Sequence, residues 1–364
     1  MLVVVALVFA TFLGCVCSKR YHVDDENVHR STFQQYKEDF GKSYGLHEEE
    51  SIFRVFESNL KVIDERNARE VAAGGEECHG LTKFMDVTQE EFNKMNALKL
   101  PAERATRTVA SDKVSIDERR RLSKINADEV AIMHRNWIGK LTTPVKNQEQ
   151  CGSCWAFAAT EQLESMVMKE HGMRVVLSAA QIAQCTVGFG CNGGLTETGL
   201  EVASALGGVS LDEQYRYDES LGSGSSGVCQ TNKISPVVTP NIITQLNTNE
   251  SDTSNVWLAG LEKKMAEYVL GSAPLAVSVD ASAWNTYTGG ILSVCGTDLD
   301  HAVQAVGLNL EADTPYWVIR NSWADNYGEA GYIRLRYGEN TCGVAMEPVT
   351  TSTSLADITA AYEL

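Results

Sequence analysis

The chain has 364 residues, of which 43% are hydrophobic and 22% are charged. This length suits two or three packed units, and the composition is that of a globular protein rather than a disordered chain or a fibre. The formal net charge of −17 argues against duplex nucleic acid and anionic membrane surfaces as partners, because both repel an acidic protein.

The negative charge is concentrated in the C-terminal two thirds of the chain. Residues 125–364 contain 27 acidic and 12 basic side chains, a net charge of −15, whereas residues 1–124 contain 21 and 19, a net charge of −2. Acidification protonates carboxylates, so we expect it to weaken any ionic pairing between the two parts.

The first 17 residues are uncharged and mostly apolar, and a polar chain begins at Ser18. This run starts at Met1 and is short for a membrane span of about 20 residues, so it predicts a signal peptide over residues 1–18. No later stretch of the sequence is long and apolar enough to span a bilayer. We therefore expect entry into the secretory pathway and a lysosomal or extracellular location, where disulfides can form and the sequon at Asn249 can be glycosylated.

Apolar residues recur at helical spacing in two stripes within residues 31–70. The first stripe contains Phe33, Tyr36, Phe40 and Tyr44, and the second contains Phe53, Phe56, Leu60 and Ile63. A cofactor-binding role for such stripes is much rarer than packing, so we expect two helices that pack through these faces. Residues 101–127 lose the periodicity and are polar and charged, which predicts an extended linker open to proteolysis.

From about residue 128 the pattern predicts helices followed by strands. Ser153 is expected to cap a helix over residues 154–170 that ends at Gly172, and another helix is expected over 256–270. Runs of β-branched and aromatic residues predict strands at Leu275–Val279, Val303–Val306, Tyr316–Ile319 and Tyr332–Leu335. A helical half followed by a sheet half predicts an α+β protein with two subdomains facing each other across a cleft.

The sharpest local motif is Gln-Glu-Gln-Cys-Gly-Ser-Cys-Trp-Ala-Phe at residues 148–157. A zinc site at Cys151 and Cys154 would lack a second close pair of ligands, and a redox pair would lack the surrounding thioredoxin-like strands. The third interpretation is a nucleophile at Cys154. It is favoured because the N–H groups and the dipole at the start of a helix stabilise a thiolate.

A cysteine nucleophile needs a histidine base, and the C-terminal two thirds of the chain offer His134, His171 and His301. His134 lies near an expected first strand and His171 at the far end of the nucleophile's helix, which leaves His301 at the start of an apolar strand. A lone strand histidine is usually structural. Asn321 follows on the next strand-like segment, however, and its oxygen can accept an imidazole N–H and orient the ring, with Trp323 covering that hydrogen bond.

Together these motifs resemble the papain and cathepsin L family of cysteine proteases. The family signature Cys-Gly-Ser/Ala-Cys-Trp/Tyr is matched at residues 151–155, and His301 follows Cys154 by 147 residues, within the interval typical of the family. The resemblance extends from about residue 30 to residue 349 and implies a papain-like fold with a helical half and a β-barrel-like half.

The resemblance also implies a role for each residue of the site. Cys154 and His301 would form a thiolate–imidazolium pair, and Asn321 would orient the imidazole. Gln148 and the backbone N–H of Cys154 would form the oxyanion hole. The backbone at Gly193–Gly194 would bind substrate as an added strand. Neither a metal nor a cofactor is expected.

Six further cysteines leave their pairing open when taken alone. The resemblance implies the disulfides Cys151–Cys191, Cys185–Cys229 and Cys295–Cys342, with Cys154 outside them and Cys78 unpaired.

The N-terminal third resembles the propeptide of cathepsin L-type precursors. One propeptide motif is matched by Glu48, Phe56, Asn59, Ile63 and Asn67, and a second by Gly80, Thr82, Phe84 and Asp86. The expected organisation is a signal peptide at 1–18, a helical inhibitory propeptide domain at 19–100, a cleavage linker at 101–127 that blocks the cleft, and a peptidase domain at 128–364.

We therefore expect a monomeric cysteine endopeptidase, made as an autoinhibited zymogen, that hydrolyses proteins and peptides. Its own propeptide and cystatin-type proteins are the expected inhibitors. A carboxydipeptidase of the cathepsin B type would need a loop with a histidine pair, and residues 195–229 contain no histidine. A catalytically inactive binding protein is the alternative function, although all four catalytic residues are present.

Substrate specificity is expected to depend on the S2 pocket. The resemblance places Leu299 in one wall of this pocket and Glu347 inside it. We expect S2 to accept leucine or phenylalanine, and also arginine through an ion pair with Glu347.

Overall fold

A computed structural model describes residues 20–96, 98–99, 132–246 and 255–356. The expected signal peptide, the expected cleavage linker and Asn249 lie outside the described residues. Within the described ranges, no helix combines the length and the apolar character needed to cross a membrane. The N-terminal part contains helices α1 (Glu26–Asp39), α2 (Glu49–Ala72) and α3 (Gln89–Met95).

The C-terminal part, called the body below, is described from residue 132 onward and contains helices and a sheet. Its helices are α4 (Cys154–His171), α5 (Ala179–Cys185), α6 (Thr196–Ala205), α7 (Glu219–Gly222) and α8 (Asn255–Gly271). Its strands are β1 (His134–Asn136), β2 (Val238–Gln245), β3 (Leu275–Val279), β4 (Ile291–Leu292), β5 (His301–Asn309), β6 (Tyr316–Arg320), β7 (Tyr332–Arg336) and β8 (Val349–Leu355). Short 3₁₀ helices lie at Thr231–Lys233, Trp284–Thr286 and Thr341–Gly343.

Helices α1 and α2 pack through the two predicted aromatic stripes. The ring of Phe33 lies 5.5 Å from Phe53 and 5.2 Å from Phe56, centroid to centroid. The expectation that the first helix reaches Tyr44 is wrong, because α1 ends at Asp39 and Gly41 follows with a φ of +62°. Tyr44 nevertheless stacks on Phe33 from the connecting segment, at 5.9 Å.

Helix α4 confirms the helix predicted over residues 154–170. It ends at Gly172, whose φ of 69° is the left-handed conformation that glycine adopts readily. The predicted side-chain cap at Ser153 is wrong. Its backbone is not extended, with φ −105° and ψ 15°, and its hydroxyl bonds to the hydroxyl of Tyr217 at 2.9 Å. The first turn of α4 is therefore not capped by this side chain.

The sheet of the body has the strand order β2–β8–β3–β5–β6–β7–β4, with β1 paired to β5. All pairs are antiparallel except β4 with β7. The four predicted strands are present and mostly longer than expected, and the predicted helix over 256–270 is α8. Helix α4 packs on β5 and β8. The architecture is the expected α+β fold, and the helical N-terminal part before the body is called the propeptide below, after the resemblance described above.

The propeptide is held on the body partly by Arg66 of α2. Its guanidinium donates to the carbonyl oxygens of Ser282 (3.0 Å) and Ala283 (3.3 Å), to the amide oxygen of Asn285 and to the hydroxyl of Thr286 (2.8 Å). Burial lowers the pKa of Arg66 to about 10, so it stays charged at physiological pH. One cation therefore binds four neutral acceptors of a single loop.

Two further charged side chains cross the same interface. Glu70 accepts the backbone N–H groups of Ser293 and Val294, and Arg336 of the body donates to the carbonyl oxygens of Ala73 and Gly74. Across the interface these two side chains hydrogen-bond to backbone groups, as Arg66 does with two of its four acceptors. The hydrogen bonds of Arg66, Glu70 and Arg336 across this interface therefore go to neutral groups.

We expect Arg66→Leu to accelerate conversion of the precursor to a shorter chain at acidic pH at least tenfold. The substitution removes several hydrogen bonds from a charged donor, each of which contributes about 1.5–3 kcal/mol. Gel time courses measure the rate. Arg69→Leu is the matched control, because Arg69 is exposed on the same helix and pairs with Glu65. Equal rates for Arg66→Leu and the parent would contradict the assignment.

Candidate active site

Cys154 is the first residue of α4 and is fully buried. It does not take part in a disulfide. Because α4 is an 18-residue helix, the unpaired N–H groups and positive dipole end at its start favour the thiolate form of this side chain.

His301, the first residue of β5, is held by Asn321, which directly follows β6. Nε2 of the imidazole lies 2.8 Å from Oδ1 of Asn321. The backbone N–H of Ser322 donates to the same Oδ1 at 2.8 Å, which identifies this atom as the amide oxygen and Nε2 as the protonated nitrogen. Nδ1 of a neutral ring then carries the lone pair. Nδ1 is buried and has no hydrogen-bond partner among the described residues.

Two tryptophan rings enclose this imidazole. Trp323 stacks on His301 at 4.8 Å with an interplanar angle of 26°, and Trp284 meets it edge-on at 6.0 Å. This burial lowers the pKa of His301 to about 4, and the hydrogen bond with Asn321 opposes the shift. The imidazole is therefore neutral in the closed precursor at neutral and mildly acidic pH.

Gln148 is fully buried and is oriented by Ser322, whose hydroxyl donates to Oε1 at 2.6 Å. Its Nε2 donates to the carbonyl oxygen of Cys151 at 3.0 Å and to that of Met95, the last residue of α3, at 2.9 Å. The backbone N–H of Gln148 also donates to the carbonyl of Ser322. These bonds join the segment before Cys154 to the segment after β6.

Aromatic side chains of the propeptide cover the same site. Phe84 and Phe92 contact the edge of Trp323, with ring centroids 5.4 and 5.3 Å away. Lys83 donates to the carbonyl oxygen of Trp323 at 2.6 Å. Trp323 thus lies between the imidazole of His301 and the propeptide.

The chain after α3 pairs with the body on both sides of the site. Leu98 forms a parallel bridge with Gly194, and the N–H of Lys99 donates to the Gly194 carbonyl at 3.3 Å. The N–H of Leu98 donates to the carbonyl of Asp300 at 2.9 Å. A Cβ at Gly194 would lie 2.7 Å from the ring of Trp155, so this position needs glycine. Neighbouring Gly193 has a φ of 94°.

A small apolar cluster contacts the side chain of Leu98. It consists of Leu258, Leu299 and Met346, with Leu98 and Trp257 packed against it. Glu347 follows Met346 and is 8% exposed. Leu299, predicted as a pocket residue, therefore belongs to a cluster that holds a propeptide leucine, and Glu347, the other predicted pocket residue, is the sequence neighbour of Met346 in that cluster.

The body contains the disulfides Cys151–Cys191, Cys185–Cys229 and Cys295–Cys342, the same pairs that the resemblance implies. The first fixes the loop before Cys154 to the loop that precedes Gly193. Cys78 lies outside these disulfides and is buried.

The structure thus brings together the segments of Gln148, Cys154, His301, Asn321 and Trp323. Sequence reasoning missed the positioning of Gln148 by Ser322 and the roles of Met95 and Leu98. Leu98 lies in the sequence Ala-Leu-Lys-Leu-Pro at residues 97–101, where the neighbouring Leu100 is equally apolar, so the sequence did not single it out. A backbone carbonyl such as that of Met95 gives no sequence signal.

Comparisons with known proteins agree with this geometry. Residues 132–352 match the family described as papain family cysteine protease, and residues 33–92 match the cathepsin propeptide inhibitor domain. The chain belongs to the papain family of cysteine proteases. This cysteine peptidase is preceded in the same chain by its inhibitory propeptide.

Individual relatives cover most of this papain-family chain. A cysteine proteinase of Trypanosoma brucei brucei is 34% identical over 347 residues, which are 93% of this chain and 70% of that protein. Cysteine proteinase 1 of Dictyostelium discoideum is 29% identical and covers 95% of this chain and 98% of its own length. The structure of digestive procathepsin L 3 from Tenebrio molitor larval midgut superposes with a TM-score of 0.68 at 25% identity, covering 89% of this chain and 99% of that one.

The buried carboxyl group of Asp300, next to His301, leads us to expect that the free energy of unfolding depends on pH. Burial raises its pKa to about 7, so the folded state favours the protonated form. Its stabilising contribution is complete below the unfolded pKa of about 3.9 and is lost as pH rises through 7. We expect the Tm of Asp300→Asn relative to the parent to increase from pH 5 to pH 8 by about 2–4 °C, the shift that about 1 kcal/mol produces.

The measurement is thermal unfolding of precursors that also carry Cys154→Ala, which prevents self-cleavage. Asp313→Asn, at an exposed loop position, is the control and should show no such trend. A Tm difference for Asp300→Asn that stays constant with pH would contradict the prediction.

Proposed function

We propose that this papain-family chain is an endopeptidase in which Cys154 is the nucleophile and His301 the general base. The observation that carries the assignment is the hydrogen bond between Nε2 of His301 and Oδ1 of Asn321. In this bond Nε2–H donates to Asn321, so Nδ1 is the nitrogen that can accept the thiol proton. The position of Cys154 at the start of α4 supports its role as the attacking group.

In the proposed reaction, His301 accepts the thiol proton and the thiolate attacks the scissile carbonyl carbon. The tetrahedral oxyanion would be bound by Nε2–H of Gln148 and the backbone N–H of Cys154, and loss of one such donor typically costs about 2.7–4 kcal/mol. The imidazolium then protonates the leaving amine. Water, activated by the neutral imidazole, releases the acid from the acyl-enzyme.

The propeptide opposes this chemistry in two ways. The carbonyl oxygen of Met95 occupies the Gln148 amide donor that an oxyanion would use. Phe84 and Phe92 also cover Trp323, the ring that stacks on His301, and so keep water from the buried imidazole, whose lowered pKa disfavours the imidazolium half of the ion pair. Propeptide release would therefore free the oxyanion donor and let water reach the surroundings of Trp323 and His301, which favours the charged pair.

We expect Cys154→Ser to abolish cleavage of fluorogenic peptides after the propeptide has been removed, with a loss of at least 10³-fold in kcat/KM. The hydroxyl of serine has a far higher pKa than a thiol and is not ionised by this histidine. Ser165→Ala, in the buried middle of α4, is a control for changes to the helix alone. Equal activity of Cys154→Ser and the parent would contradict the proposed nucleophile.

We further propose that the cluster around Leu98 is the S2 pocket. Leu98 lies beside the Gly194 backbone and packs on Leu299 and Met346, so a leucine side chain already fits this volume. Burial of Glu347 next to this apolar cluster would strengthen its attraction for a cationic side chain, because charges interact more strongly away from water.

We expect Glu347→Ala to lower kcat/KM for substrates with arginine at P2 at least tenfold, with substrates carrying leucine at P2 changed less than threefold. The carboxylate would pair with the arginine guanidinium, whereas leucine uses the apolar walls. Paired fluorogenic peptides that differ only at P2 measure the ratio. The exposed Glu311→Ala is the control, and an unchanged arginine-to-leucine ratio in Glu347→Ala would refute the pocket assignment.

The remaining proposals concern the life of the protein in the cell. The disulfides and the family support a route through the secretory pathway to lysosomes or the cell exterior. We propose signal-peptide removal near residue 18, glycosylation at Asn249, cleavage within 101–127, and a monomeric mature enzyme open to cystatin-type inhibitors.

A further inference from the structure

Three side chains with metal-binding atoms lie together where the propeptide meets the body. Glu70 belongs to α2, and Cys78 and His79 lie between α2 and α3. One carboxylate oxygen, the sulfur and one imidazole nitrogen all lie within 4.8 Å of one another. The exposed fractions of the three residues are 0%, 1% and 4%. This donor set is separate from the catalytic site.

We propose that Glu70, Cys78 and His79 bind a zinc ion in the precursor, in contrast to the metal-free chain expected from the family resemblance. Thiolate, imidazole and carboxylate are the donors that zinc takes in proteins, whereas calcium and magnesium select sets of oxygen atoms. Ligands of one tetrahedral zinc lie about 3.3–3.6 Å apart, so separations of at most 4.8 Å need to contract by no more than about 1.5 Å.

The body supplies outer contacts that orient two of these ligands. Nδ1 of His79 lies 2.9 Å from the hydroxyl oxygen of Thr286, and Glu70 accepts the N–H of Val294 at 2.8 Å. Ligating histidines and carboxylates commonly have such partners. A carboxylate has about four lone-pair positions, so the N–H groups bound to Glu70 leave room for a cation.

A divalent cation also balances the charge of this buried cluster. Cys78 would bind as thiolate and release its proton to solvent, so the two anionic ligands and Zn²⁺ sum to zero. The charged neighbours that face Cys78 and Glu70 are Arg66, Arg336 and Glu76. Arg66 and Arg336 each have acceptors of their own across the interface, as described above, so zinc binding leaves their hydrogen bonds in place.

A cavity of about 330 Å³ reaches the proposed site. Its lining includes Glu70 and His79 from the propeptide and Ser282, Val294 and Gly296 from the body. Such a cavity provides an entry path for the ion and space for a water molecule as the fourth ligand.

Zinc at this position would strengthen the docking of the propeptide on the body and so help to keep the precursor inactive. The three ligands belong to the propeptide and their outer contacts belong to the body, so the site is complete only in the docked precursor. An ion that binds the docked form better than the released form stabilises docking in proportion to its concentration. The site would therefore hold the precursor closed where zinc is abundant.

The test uses the precursor with Cys154→Ala, which stops self-cleavage and removes the catalytic thiol as a competing zinc ligand. After chelator treatment the protein is titrated with Zn²⁺ against a chromophoric chelator, and with Co²⁺ as a spectroscopic probe. We expect one Zn²⁺ per chain and a thiolate-to-Co²⁺ charge-transfer band. Cys78→Ser should abolish the band, and His79→Gln should weaken zinc affinity at least tenfold.

His47→Gln is the matched control, since His47 is an exposed propeptide histidine, and should bind zinc as the parent does. Thermal unfolding with chelator present establishes that each variant is folded. If Cys78→Ser does not fold, the Co²⁺ spectrum of the Cys154→Ala precursor tests the proposal instead. In that protein Cys78 is the one thiol outside a disulfide among the described residues, so a thiolate-to-Co²⁺ band must come from it. A parent without the band, or a folded Cys78→Ser with unchanged zinc affinity, overturns the proposal.

Discussion

The hydrogen bond between His301 and Asn321 is the contact on which the arrangement of the site depends. The bond joins the first residue of β5 to the residue that directly follows the last residue of β6. The register between these two strands therefore determines whether it forms. Trp323 covers it on one face, and the propeptide in turn covers Trp323. The Trp323 ring that keeps water from the imidazole is therefore also the ring on which Phe84 and Phe92 of the propeptide pack.

Much of this arrangement follows from the sequence, for identifiable physical reasons. Apolar spacing indicated the helix packing around Phe33 and Phe53, and β-branched runs indicated the central strands. Cys154 and His301 could be proposed as nucleophile and base because few side chains can supply a thiolate and a base in such contexts. The propeptide motifs were also readable, since each is carried by side chains at fixed spacing.

Other features could not be read from the sequence, because they depend on tertiary geometry. Helix α1 stops at Asp39 although the aromatic stripe continues to Tyr44, since a loop residue can fill the same place in a ring stack. Ser153 stands at the right position for a side-chain cap but bonds to Tyr217, a partner 64 residues away. The carbonyl of Met95 reaches Gln148 through backbone atoms, which carry no information about residue type.

The way in which α2 binds the body has a consequence for the divergence of such chains. Glu70 accepts main-chain N–H groups of the loop around Ser293, and two of the four body acceptors of Arg66 are the main-chain carbonyls of Ser282 and Ala283. Main-chain groups persist when side chains are replaced, so the outer surface of the peptidase can drift in sequence while its own propeptide still fits. A change in the length or backbone path of these two loops would then disturb the fit of the propeptide more than most substitutions of their exposed side chains.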